Sequence, residues 1–175
     1  MLMAGIISNI FTGFKEVFLA FVKDPSIWWL IAPIILFWAI IEIYLDIYKK
    51  EELGWNTALG NGLSVFWVCI ICLKFLFETG LKNFRWSKLI AVILIFLYGL
   101  LIITNSFYHR LKKNISFILA APTPVYFLSL VIILWTYGLL PITIWIILDL
   151  VILFVIISAV EIILKKIIKE KIAAE

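Results

Sequence analysis

The sequence predicts an all-α integral membrane protein, a bundle of about five transmembrane helices preceded by an N-terminal interfacial amphipathic helix. Three observations lead there. Of the 175 residues, 65% are hydrophobic and only 15% are charged, far from the roughly half-apolar, quarter-charged mix of soluble domains. Mean hydropathy is +1.17. Apolar runs near the length that crosses a bilayer, about 20 residues, recur between short charged connections. Together they take up most of the chain, so residues 1–175 are expected to form a single membrane domain.

The first element, 4–23, places Ile6, Ile7, Ile10, Phe11, Phe14, Val17, Phe18, Phe21 and Val22 on one helical face and Ser8, Asn9, Thr12, Lys15, Glu16 and Lys23 on the other. A spanning helix needs no such division, whereas a helix in the headgroup plane does. Capping of the bundle, with the phenylalanines turned inward, is the alternative. No basic leader or small-residue cleavage site precedes this stretch, so no removable signal peptide is expected.

Asp24, Pro25 and Ser26 break the helix, since proline disfavours helical geometry before it and suits the first turn of the next one. The first span covers 27–48, with Trp28 and Trp29 at one end and Tyr44 and Tyr48 at the other, as interfacial belts require. A charged turn, Lys49 to Glu52, leads to the second span, 60–78. The third covers 86–108. The segment 115–138 is interrupted by Pro122 and Pro124, and reads either as a kinked span or as a re-entrant pair of half-helices. The fifth span is 142–164, and 165–175 forms an amphipathic basic tail.

Charge then bears on orientation. With five crossings, Lys15, Lys23, Lys82, Arg85 and Lys88 lie on one side and nine lysines and arginines of the connections and tail on the other. The richer side holds the C-terminus, which is therefore expected to be cytoplasmic. A re-entrant 115–138 would reverse the count. Basic residues sited at membrane edges suit anionic lipid and leave no surface on which a nucleic acid could dock.

Ionisable groups inside apolar spans are the leading site candidates, because each is costly there unless compensated. Asp149 and Lys74 are expected at similar depth, and an intramembrane ion pair between them follows. Near the opposite face, Glu42, Asp46, Asn105, His109 and Glu161 share a depth at which carboxylates and an imidazole either bind a metal or line a solvated rim; the rim is the better reading, and no cofactor is expected. Asn56, Gly60, Asn61, Gly62 and Ser64 form a helix-packing or binding stretch. Small residues four apart let backbones approach closely, and asparagine bonds across the contact. An unwound opening to a binding site is the alternative, and leucine at Gly60 or Gly62 is expected to disrupt packing. Cys69 and Cys72 lie three apart among Val68, Ile70, Ile71 and Leu73, a setting for small core residues and not for a reactive thiolate.

Nucleophile elbows, phosphate loops and zinc-protease motifs are absent from the sequence, so no enzyme is expected. The leading functional expectation is a non-catalytic accessory or assembly subunit, or a homo-oligomeric structural protein, whose partners are the lipid bilayer and other membrane subunits or itself. A small-solute or ion transporter or channel using Asp149 and Lys74 is the alternative.

Overall fold

The computed structural model describes residues 2–47, 54–79 and 85–172. The described residues are helical and turn, without strands: α1 (Leu2–Ala20), a single 3-10 turn (Pro25–Ile27), α2 (Trp28–Ile47), α3 (Trp55–Glu78), α4 (Trp86–Tyr108), α5 (Lys113–Leu119), α6 (Pro122–Thr136) and α7 (Ile144–Ile172). The charged turn Lys49 to Glu52 and Lys82 lie outside the described residues. Among the described residues, five segments are long and apolar enough to cross a membrane, Pro25–Tyr44, Trp55–Glu78, Trp86–Tyr108, Lys113–Thr136 and Ile144–Leu164. The chain therefore has the architecture of a multi-pass membrane protein.

α6 is the central helix. Ten of its fifteen residues are buried, and it packs against α2, α3 and α4. α3 and α4 form the most extensive pair, and two glycines explain how closely they approach. A Cβ on Gly62 would stand 2.9 Å from Ile102 Cγ2, and one on Gly99 would stand 3.2 Å from the Phe66 amide nitrogen. Val65, Cys69, Cys72, Val92, Ile102 and Val125 complete the buried core between these helices.

The interrupted segment runs in one direction. Three contacts with neighbouring α4 fix its course: Asn105 to Ser116, Tyr98 to Leu119 and Lys88 to Thr136. As the residue number rises along α5 and α6 it falls along α4, so the two run antiparallel from end to end. Of the two sequence readings, the kinked crossing is the one that this course describes. At the far end of α6, the Lys88 ammonium donates to the Thr136 carbonyl at 2.9 Å and Lys23 to the Leu139 carbonyl at 3.1 Å. Cations suit the unbonded carbonyls at a helix C-terminus.

α1 packs on α7 through Gly13, Val17 and Ala20, all buried. The apolar arc is wider than this contact. Phe11 and Phe18, 72% and 62% exposed, stand on the neighbouring arc, and Ser8, Thr12 and Lys15 occupy the outward polar side. The break after α1 is fixed by Asp24, whose carboxylate accepts the Ser26 amide at 2.9 Å. Hydrogen bonds from the Ser26 side chain and backbone hold the Asp24 carboxyl below the usual range. A lowered native pKa contributes stability above the unfolded value and loses it as pH falls through the native one, so this cap weakens only in acid.

The second span begins earlier than its sequence boundary of residue 60, because α3 is helical from Trp55 onward. The asparagine-glycine stretch is thus wound, not open. In an apolar layer every backbone amide and carbonyl needs a partner, and a helix supplies them internally.

Candidate functional site

Pro122 and Pro124 create the need that the surrounding polar residues meet. Neither carries an N–H, so the carbonyl four residues before Pro124, that of Ala120, has no helical donor. Asn61 Nδ2 donates to it at 2.8 Å. The Leu119 carbonyl, exposed by the same break, accepts the Tyr98 hydroxyl. Asn61 Oδ1 in turn accepts the Tyr126 hydroxyl at 2.9 Å, so one buried amide joins α3, the break and α6.

A second trio lies one turn further on. Thr123 Oγ1 is 3.0 Å from Glu42 Oε1 and 2.6 Å from Glu161 Oε2, which ties α2, α6 and α7 together. A hydroxyl has a single proton to donate. Both contacts form at once when the hydroxyl shares its proton between the two carboxylates in a three-centre bond, or when one carboxyl is itself protonated and donates to Thr123 Oγ1. Replacing Thr123 by valine, which keeps the shape, is expected to cost about 2 kcal/mol, the range of hydrogen bonds to charged groups, measured as a shift in detergent-unfolding midpoint.

Of the five groups that share this depth in the sequence, Glu42 and Glu161 both contact Thr123, whereas Asn105 and His109 have other partners. Asn105 Nδ2 donates to Ser116 Oγ at 2.6 Å and its Oδ1 accepts the Leu111 amide at 2.7 Å, fixing the α4–α5 turn. His109 is exposed, adopts a left-handed φ of 53° at the end of α4, and meets the Trp55 ring edge-on at 4.2 Å. The side chain of Asp46 lies outside the described residues. Among the described residues no three His, Cys, Asp or Glu side chains gather around a common point.

The structure does not bring Lys74 and Asp149 together. Lys74 is 72% exposed and faces Glu78, one turn along its own helix, at 3.7 Å. Asp149 is fully buried, and neither carboxyl oxygen has a hydrogen-bond partner among the described residues. Similar depth did not imply a shared azimuth: Asp149 turns toward α1, where a Cβ on Gly13 would stand 1.7 Å from its Oδ2. Gly13 is the space that this carboxyl occupies.

The remaining packing residues divide by face. Asn61 and Gly62 are buried, whereas Asn56 and Gly60 are exposed. Ser64 donates to the Gly60 carbonyl at 3.0 Å within its own helix. Nothing lies within 4 Å of a Cβ built on Gly60, so a methyl group there meets no neighbour. Gly60→Ala is expected to stabilise α3 by about 0.5 kcal/mol through helix propensity. Gly62→Ala is expected to destabilise it by about 1 kcal/mol or more through overpacking, as read from thermal melts of the two variants. Cys69 and Cys72 are both free and buried in the core.

Sequence reading missed Tyr98, Thr123, Tyr126 and Gly13. The prolines were the available signal, since each missing N–H implies a carbonyl in need of a donor from elsewhere. Comparison with family models, with curated proteins and with solved structures finds no match to this chain.

Proposed function

We propose that the chain is a non-catalytic membrane subunit that works by packing in the bilayer against a second membrane protein or a second copy of itself. The observation that carries this reading is the breadth of the uncovered apolar flanks on the outer helices. Among the described residues Asn61, Asn105, Ser116, Thr123, Tyr126 and Ser129 bond within the fold, while the side-chain oxygens of Ser106, Thr136 and Asp149 are buried without a partner. Meanwhile α2 and α7 expose Leu36, Phe37, Ile40, Val151, Val155 and Val160 along their lengths. α1 fits the same reading as an interfacial helix, with one apolar arc on α7, a second facing acyl chains and a polar arc toward the headgroups. The C-terminus is assigned to the cytoplasm by the excess of basic residues on its side.

Gentle extraction from the native membrane followed by mass measurement tests this. A complex heavier than one chain plus its detergent is the expected result; a lone chain in every mild detergent overturns the reading.

A second reading, ion or small-solute transport, draws on the trio Glu42, Thr123 and Glu161 beside a broken span, not on the Lys74 and Asp149 pair. It predicts flux in sealed vesicles that Glu161→Gln abolishes while the fold is kept. Vesicles containing the purified chain that show no flux of protons or monovalent cations count against it.

A further inference from the structure

A groove runs down the outside of the bundle between α4 and α7, floored by α6, with a volume of about 470 Å³. Its walls are apolar throughout, from Ala91, Ile142 and Trp135 at one end to Pro124, Phe127 and Phe154 at the other. Along α6 the stretch from Trp135 to Pro124 measures about 16 Å at 1.5 Å per residue, half of a hydrocarbon core of about 30 Å. The groove therefore has the length of one leaflet.

Its outer end carries cations. Arg85, the residue that caps α4, precedes Lys88, Ala91 and Ile95 at three- and four-residue spacing, and the face of α4 that carries Lys88 continues into the groove wall at Ala91 and Ile95. Arg85 is exposed, as is Trp86 beside it. Lys88 is half-buried, and one of its three N–H donors is used on the Thr136 carbonyl, which fixes the ammonium at the C-terminal end of α6 and leaves donors for an incoming oxygen. Gly138, at φ +78°, leaves the turn beside Lys88 without a side chain; a Cβ there would sit 3.7 Å from the ammonium.

We propose that this groove is a binding site for one anionic phospholipid of the adjoining leaflet. Its acyl chain lies between α4 and α7 on α6, and its phosphate is held by Lys88 and Arg85. Charge complementarity selects the occupant: a neutral apolar helix would fill the groove equally well but would leave both cations at its mouth without a counter-charge.

The test is a titration of the purified full-length chain in detergent with phosphatidylglycerol or phosphatidylcholine of identical chains, bound lipid being counted by native mass spectrometry. The expected result is a single tight site for phosphatidylglycerol over phosphatidylcholine, about fivefold weaker for each of Arg85→Gln and Lys88→Gln, the effect of one cation near a phosphate surface. Ala91→Phe, which fills the groove and keeps both cations, is expected to abolish the tight site. Lys74→Gln, which removes an exposed cation elsewhere, is expected to leave it intact. Equal binding of the two lipids overturns the proposal, as does equal loss in the Lys74 variant, which marks general surface charge. Retention of the site in Ala91→Phe, in protein whose melting is unchanged, overturns the acyl-chain placement.

Discussion

Asn61→Ala is expected to destabilise the protein by about 2 kcal/mol in detergent unfolding, more than any other single polar truncation in the second span. The substitution deprives two groups at once. The Ala120 carbonyl loses the donor that Pro124 cannot supply, and the Tyr126 hydroxyl loses its acceptor. A buried group left unpartnered costs about 1–3 kcal/mol, but interhelical bonds in membranes average nearer 0.6 kcal/mol because the unfolded reference state also finds partners. The proline-freed carbonyl favours the upper part of the combined range, since its own backbone offers no substitute donor. Tyr126→Phe removes only one of the two bonds and is expected to cost about 1 kcal/mol. Asn56→Ala, on the exposed face of the same helix, should fall within about 0.5 kcal/mol of the parent. Equal effects at Asn56 and Asn61 would show that the break is held by packing and not by this amide.

At Gly13 even a methyl group is expected to lift α1 from α7. The position a Cβ would take is 1.7 Å from Asp149 Oδ2 and 3.0 Å from its Cγ, so either the carboxyl must leave its pocket or the helix must move away. Overpacking of this kind costs typically about 1–3 kcal/mol, and the direct overlap places Gly13→Ala at the upper end. The informative measurement is the double variant. Asp149→Ala added to Gly13→Ala removes the obstruction and is expected to recover about 2 kcal/mol, a coupling of the size seen between residues in contact. Asp149→Asn keeps the volume and is expected to recover almost nothing. Recovery by asparagine as complete as by alanine would mean that charge, and not space, sets the fit between the two helices.

These two sites show what each level of description reaches. Composition and the spacing of apolar runs determined the membrane class and the five helices long and apolar enough to cross a bilayer, because bilayer thickness and helical pitch impose those patterns on any chain. Pro122 and Pro124 announced an interruption in the fourth crossing for the same local reason: they lack amide protons. Whether that crossing kinks or turns back depended on contacts far apart in the chain, from Lys88, Tyr98 and Asn105 of α4, which no local pattern encodes. Azimuth was likewise out of reach. Depth along a span follows from residue number, so Lys74 and Asp149 looked like partners, but which neighbour a residue faces depends on how all the helices pack. Only the folded bundle turned Asp149 onto Gly13 and Lys74 outward, and set Thr123 between Glu42 and Glu161. Small and hydroxyl residues earn such places through the neighbours they fit, so their roles emerge only once the helices have chosen their faces.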